Sequence, residues 1–292
     1  MINRSLAFLV HTILCIATFT TTSQQLPFYY PKMQGELIEH ECYALDYSEE
    51  HEQASWVIYF ADHYGSASRS DNFREDPLIK SGSAQIKDYK GTGYDRGHLA
   101  PAADMNETST SMSESFFMSN MSPQLPGFNR GIWKSLETLV RAWGISAQSG
   151  QDMIITGPIL LEKCETIGAN VTVPCAYYKI YVDMQTNCAI GFIIRNESSS
   201  APLSTFTVSI DDIENATGLD FFWQLEDTIE DDLESQLDLS NWKWDAKALK
   251  LSKDESEDET PTEASRCLGI TKSGTQCKRN AGVSGFCWQH EK

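Results

Sequence analysis

Apolar and polar positions divide this chain into regions of different character. Tyr43, Leu45 and Tyr47 alternate with their neighbours before a charged turn, and Trp56 to Phe60 (WVIYF) is β-rich, so residues 36–62 predict two strands. Residues 63–93 are polar and rich in Gly and Ser, which predicts an extended surface loop. The run from Glu114 to Asn129 (ESFFMSNMSPQLPGFN) reads as a strand broken by Pro123, Pro126 and Gly127. From Asn129 onward, Ile132, Leu136, Leu139, Val140 and Trp143 recur at helical spacing. Three strands follow in DMIITGPIL, PCAYYKIYVDM and CAIGFIIRN, and a short helix capped near Asp211 or Asp212 closes the pattern. Apolar periodicity fades after Leu225, and Ser252 to Ser265 hold almost no apolar residue, which predicts a disordered linker.

The first residues follow another rule. Arg4 precedes an apolar run from Leu6 to Phe19, and Thr21-x-Ser23 offers a small-x-small cleavage site. The run is short for a membrane span, so residues 1–23 predict a secretory signal, with an uncleaved anchor as the alternative. No later segment is apolar enough to span a bilayer, which makes the mature protein secreted or periplasmic and free of membrane. The 292 residues, 41% hydrophobic with 13 Phe, 11 Tyr and 7 Trp, suffice to bury a core and exclude general disorder. The resulting layout is one mixed α+β domain over residues 36–225, an acidic segment and disordered linker over 226–265, and a small module over 266–292.

Charge narrows the picture. The net charge is −18, of which residues 221–265 supply −10 and residues 266–292 return +4. A chain this acidic does not coat itself in nucleic acid, so any phosphate contact must come from locally clustered Arg and Lys. Of the 8 cysteines, Cys15 leaves with the signal, while Cys42, Cys164, Cys175 and Cys188 can pair in three ways in an oxidising compartment.

The segment Gly91 to Met105 (GTGYDRGHLAPAADM) carries the candidate chemistry. A neutral imidazole at His98 can accept a proton from water, and Arg96 can hold a phosphate oxygen. A histidine bonded to a neighbouring carbonyl would look the same. What separates the two readings is the order of motifs that follows. Asp95-Arg96-Gly97-His98, then Ser119-Asn120-x-x-Pro123-Gln124, then Asn129-x-x-x-Trp133-x-x-Leu136-Glu137, resemble the DNA/RNA non-specific endonucleases, the ββα-metal (His-Me finger) nucleases. The resemblance continues through TGPI, VPCAYYKIYVD, GFIIRN and IDDIENATGLDFF, and spans roughly residues 36–225.

That resemblance implies a mixed antiparallel sheet with a ββα-metal site, and metal-dependent hydrolysis of DNA and RNA that leaves 5′-phosphate ends. It makes His98 the general base and Asn129 the protein ligand of Mg²⁺ (or Mn²⁺). Glu137 would orient water on the metal, Arg96 would contact phosphate, and Asn120 would support the site. Either Arg69 or Arg74 would add a phosphate contact, and a homodimer is compatible with the family. Each residue has a plainer role open to it: Asn129 as a helix N-cap, Glu137 paired with Arg141, Asn120 as a surface sequon, Arg74 paired with Asp76. A catalytically silent nucleic-acid-binding protein on the same fold is the alternative from another class.

The tail places Cys267, Cys277, Cys287 and His290 in C-x9-C-x9-C-x2-H spacing. Three thiolates and an imidazole make a closed tetrahedral Zn²⁺ set, and the pattern resembles small terminal zinc-binding modules. Disulfide pairing with one odd thiol is the alternative.

Overall fold

The computed structural model describes residues 29–61, 65–147, 152–160, 164–183 and 185–246. The signal segment, the linker beyond residue 246 and the Cys/His tail lie outside the described residues. In chain order the first strands are β1 (Glu36–Glu39), β2 (Tyr43–Ser48), β3 (Gln53–Phe60), β4 (Asp95–His98), β5 (Met121–Gln124) and β6 (Met153–Ile159). They are followed by β7 (Thr166–Ile167), β8 (Val171–Thr172), β9 (Ala176–Asp183), β10 (Cys188–Arg195) and β11 (Thr207–Val208). The helices are α1 (Ile86–Tyr89), α2 (Ser109–Glu114), α3 (Lys134–Ala147), α4 (Ile210–Thr217) and α5 (Asp227–Ser235). Seven strands make one antiparallel sheet in the order β1-β2-β3-β6-β9-β10-β11, while β4 pairs with β5 and β7 with β8. This is the mixed α+β architecture with an antiparallel core that the sequence suggests.

The inner strands read as continuous apolar runs because both faces of the sheet are covered. Val57, Tyr59, Ile154, Tyr177, Tyr181 and Phe192 face one cluster, which includes Trp133, Leu136, Leu139, Val140 and Trp143 around α3. Trp56, Ile58, Ile155, Tyr178 and Ile180 face the other, with Ile210, Ile213, Phe221, Phe222 and Leu233 from the α4–α5 side. Alternation along each strand divides its side chains between the two clusters.

Three expectations change. Ser119 and Asn120 are not extended: β5 is preceded by a 3-10 turn at Met118–Asn120. The helix does not start at Asn129, because Phe128–Trp133 form a π turn with a kink at Gly131 and α3 begins only at Lys134. Nor is 63–93 all surface. Asp76 is 2% exposed, and its Oδ2 accepts from the Ser119 hydroxyl at 2.5 Å and faces His40 Nε2 at 2.9 Å.

The ordered fold also continues past residue 225. Trp242 packs tilted and Trp244 edge-on against Trp143, at ring-centroid distances of 4.9 and 5.9 Å, and the Trp143 indole donates to the Lys243 carbonyl at 2.6 Å. The aromatic residues in this acidic stretch, rather than its charge, decide its fate. No helix among the described residues is long and apolar enough to cross a membrane.

Candidate active site

Two strands and a helix build the site. β4 and β5 pair antiparallel, with Asp95 opposite Gln124, Arg96 opposite Pro123, Gly97 opposite Ser122 and His98 opposite Met121. Only glycine fits between Arg96 and His98, since a Cβ at Gly97 would come within 2.1 Å of the Gln124 side chain. The ribbon therefore closes tightly, and the π turn and α3 follow it to form one wall of a cleft of about 330 Å³. Arg69, Phe73, Arg96, His98, Asn129 and Glu137 line this cleft, together with Arg130, Lys134 and Arg141.

His98 sits in an aromatic wall, edge-on to Phe116 at 4.9 Å and 5.8 Å from Phe73. Its Nε2 is buried with no hydrogen-bond partner among the described residues, so the neighbouring-carbonyl reading does not apply. Burial, with the positive charges of Arg69 and Arg96, pulls its pKa down to about 3. The imidazole is neutral at physiological pH.

Asn129 is fixed by Asp95. Its Nδ2 donates to Asp95 Oδ2 at 2.9 Å, and because a carboxylate can only accept, the amide oxygen must point the other way. Arg130 grips the same carboxylate with Nε at 2.8 Å and Nη2 at 2.6 Å. Burial works to raise the Asp95 pKa, but the bonds from Arg130 and Asn129 prevail and hold it low. The Asn129 side chain is thus not an N-cap. It lies inside the π turn, bonded to a carboxylate on β4.

Asn120 is fully buried and outside the cleft wall. Its Oδ1 accepts from Ala100 N at 2.9 Å, and its Nδ2 donates to the carbonyls of Ala100 (2.9 Å) and Ser115 (2.8 Å). It clasps the chain leaving His98 and is not the surface residue that the sequon reading expects. The two loop arginines point to different places. Arg69 reaches the cleft, with its Nε on Asp71 at 2.7 Å. Arg74 turns away, over the Phe117 ring at 4.0 Å with Nη1 on the Asn72 and Ser113 carbonyls. Its expected partner Asp76 is taken by His40 and Ser119.

Behind the cleft lies a cluster that sequence reasoning missed. Arg141 donates to Asp104, which also accepts from the Tyr59 hydroxyl at 3.2 Å. Lys179, in the middle of β9, is fully buried with no hydrogen-bond partner for Nζ among the described residues, 4.8 Å from the Trp133 ring and 5.9 Å from that of Tyr59. Burial pushes the Glu137 carboxyl up to about 7, against the pull of Lys179, and drags the Lys179 ammonium down to about 8. The signal was present in the sequence: a lone lysine inside an otherwise apolar strand, AYYKIYVD.

Comparison with known proteins agrees with this geometry. Residues 25–228 match the profile of the DNA/RNA non-specific endonucleases. Nuclease C1 of Cunninghamella echinulata var. echinulata is 34% identical over 224 residues, covering 69% of this chain and 88% of that one. Human mitochondrial endonuclease G is 32% identical over 208 residues, covering 64% and 69%. The EndoG chain in the crystal structure of the EndoG/EndoGI complex superposes with a TM-score of 0.62 at 29% identity, over 68% of this chain and 89% of that chain. A match over most of the chain, on a fold that presents the motif residues around one cleft, makes this protein a nuclease, a hydrolase of the DNA/RNA non-specific endonuclease family.

Proposed function

We propose that the protein is an exported, Mg²⁺-dependent endonuclease that cleaves DNA and RNA with little sequence preference, with His98 as general base and Asn129 as metal ligand. One observation carries the assignment: an unpaired, neutral imidazole shares a cleft with an amide oxygen aimed away from its only polar side-chain partner. The donor set suits a hard cation. Asn129 offers one oxygen, Glu137 lies in the same wall, and a small divalent ion that keeps most of its waters needs little more.

When bound, Mg²⁺ supplies charge neutralisation at the attacked phosphate and at the departing 3′ oxygen. The chain supplies the rest. His98 removes a proton from the attacking water, a role open to a neutral ring whose Nε2 has no partner among the described residues. Arg69 and Arg96 hold the phosphate oxygens, and Phe73, with Arg96 at 4.2 Å from its ring, keeps that guanidinium in place. Asp95 holds Asn129 in the orientation that presents oxygen, and Asn120 fixes the backbone after His98. Glu137, when ionised, accepts hydrogen bonds from water in the cleft.

Plasmid and RNA digestion with and without Mg²⁺ tests the proposal, with cleavage expected only when metal is present. Equal cleavage in a chelator would remove the metal from the mechanism. For the tail we propose one zinc on Cys267, Cys277, Cys287 and His290, tested by metal analysis of the purified chain before and after Cys277→Ser.

A further inference from the structure

Cys164 and Cys175 stand on the two stems of the hairpin that carries β7 and β8, and their Sγ atoms lie 3.0 Å apart as free thiols. That is closer than unbonded sulfurs ordinarily sit. The other two cysteines of the domain are engaged elsewhere: Cys42 Sγ faces Glu107 and Cys188 Sγ the Thr186 carbonyl, each at 3.6 Å. Cys175 is exposed and Cys164 half-buried, so an oxidant can reach the pair. We propose that Cys164 and Cys175 form a disulfide, and that this bond locks the clamp holding the β4–β5 ribbon in place.

The clamp can be followed bond by bond. On one stem, Glu165 accepts from the Tyr94 hydroxyl at 2.6 Å, and Tyr94 immediately precedes Asp95 at the start of β4. On the other, the Pro174 carbonyl accepts from Asn196 Nδ2 at 3.1 Å, which also donates to Pro123 in β5 at 3.0 Å. Asn196 Oδ1 then accepts from Leu125 N at 2.9 Å, just beyond β5, and Asn196 N donates to the Cys175 carbonyl at 2.9 Å. The two stems touch each other where Val173 N donates to the Glu165 carbonyl at 2.8 Å. One stem thus grips β4 and the other grips β5, and the two sulfurs meet where the stems converge.

The chemistry is thiol–disulfide exchange. The thiolate of one cysteine attacks an oxidised donor, a small-molecule or protein disulfide, and forms a mixed disulfide as one donor thiol leaves. The second cysteine displaces the other donor thiol, and the Sγ–Sγ bond closes. The chain gives up two electrons and two protons, and the donor disulfide leaves as two thiols. Such bonds persist in oxidising compartments, so the site agrees with export, and a reducing cytosol would leave the clamp closed by its hydrogen bonds but without the cross-link.

The test uses the whole chain, purified with oxidised glutathione present, and does not depend on the nuclease mechanism. Differential alkylation and peptide mapping should recover one cross-linked pair joining the peptides of Cys164 and Cys175. Closing a loop of about 12 residues should raise Tm by roughly 4–10 °C over the protein treated with reductant. Cys164→Ser, Cys175→Ser and the double variant should share one lowered Tm step, and reductant should add no further loss from this loop. Recovery of both cysteines as alkylated thiols from the oxidised wild type would overturn the proposal, as would a map linking either one to Cys42 or Cys188. The wild-type map decides the matter even if a serine variant fails to fold.

Discussion

The two faces of the central sheet bury different chemistry, although the same strands build both. On the α4–α5 face, Trp56, Ile58, Ile155 and Ile180 meet Ile210, Ile213, Phe221 and Phe222. Its main helix is conventionally finished: Ser209 caps α4 by accepting from Asp212 N at 3.1 Å, and Gly218 ends it at φ 71°. On the α3 face, the core also buries Asp104 and Lys179, whose Nζ has no hydrogen-bond partner among the described residues, with Arg141 and Glu137 half-buried between it and the cleft. Buried charge costs several kcal/mol per ion before compensation, so a face that buries Asp104 and Lys179 beside the half-buried Arg141 and Glu137 is not arranged for stability alone. The charges sit on the side that faces the cleft. The difference sets a largely apolar face against one that carries ionisable groups beside the cleft.

The largest expected effect breaks the comparison on the chemical side. His98→Ala should lower turnover by ~10²–10⁴-fold, the usual contribution of a general base. It should leave the protein folded, because the His98 ring nitrogen Nε2 has no hydrogen-bond partner among the described residues and the backbone pairing with Met121 is kept, so only its ring packing is lost. Steady-state cleavage and a thermal melt on the same preparation check both halves. Retention of more than about a tenth of wild-type activity would sink the general-base assignment.

A sharper version compares neighbours on β9. Ile180 points to the α4–α5 face and Lys179 to the α3 face. Ile180→Ala should cost about 2–5 kcal/mol of stability, with unchanged kcat in the folded fraction. Lys179→Met should do the reverse. Its buried ammonium is replaced by an apolar chain of similar length, and Glu137 can take up a proton rather than remain an unpaired charge. Stability should hold to within about 1 kcal/mol while activity at pH 7 falls several-fold. Denaturant melts and kcat on the same two variants separate these outcomes.

The pH profile refines this reading. A carboxyl raised to about 7 is protonated below that pH, so activity that needs Glu137 ionised should fall as pH drops through 7. His98, lowered to about 3, stays neutral over that interval and contributes no limb to it. Removing Lys179 takes away a positive neighbour, so the limb should move to higher pH in Lys179→Met. It should be absent from the residual activity of Glu137→Gln. A wild-type limb at the same pH in both variants would mean that another group controls it.

The sheet and the cleft residues were legible in the sequence for different reasons. WVIYF, YYKIYV and AIGFIIR are β-rich runs, and covering both faces changes their packing but not their identity as strands. His98, Asn129 and Glu137 were legible because their motifs recur in a fixed order. Their support was not. That Asp95 orients Asn129, that Asn120 clasps Ala100 and that Asp76 is shared by His40 and Ser119 are contacts across 20 to 43 residues, which no local pattern encodes. The start of α3 was misplaced because the periodicity at Ile132 and Leu136 does not register a π turn and a kink at Gly131. The acidic stretch after Leu225 was read from its charge, while Trp242 and Trp244 anchor it.

The smallest expected effect concerns a buried carboxylate on the apolar face. Glu234 is 6% exposed, its Oε1 has no hydrogen-bond partner among the described residues, and its carboxyl lies within 4.8 Å of those of Asp211 and Glu214. Burial first, then the charges of Glu214, Glu230, Asp211 and Asp220, push its pKa up to about 8. The unfolded chain ionises this group near its ordinary 4.5, so between the two values the fold holds a proton that the unfolded chain has lost. Stability should therefore decline as pH rises from about 4.5 to about 8, and the full penalty should persist above that. Glu234→Gln keeps the shape and removes the ionisation. Its Tm should exceed that of the wild type by a few degrees at pH 9, and the gap should close by pH 5. Thermal scans of both proteins across that range, in chelator so that no cation neutralises the cluster, give the comparison. A gap that is the same at both ends would mean that packing, not charge, sets the difference, and that the face opposite the cleft tolerates its carboxylate without electrostatic cost.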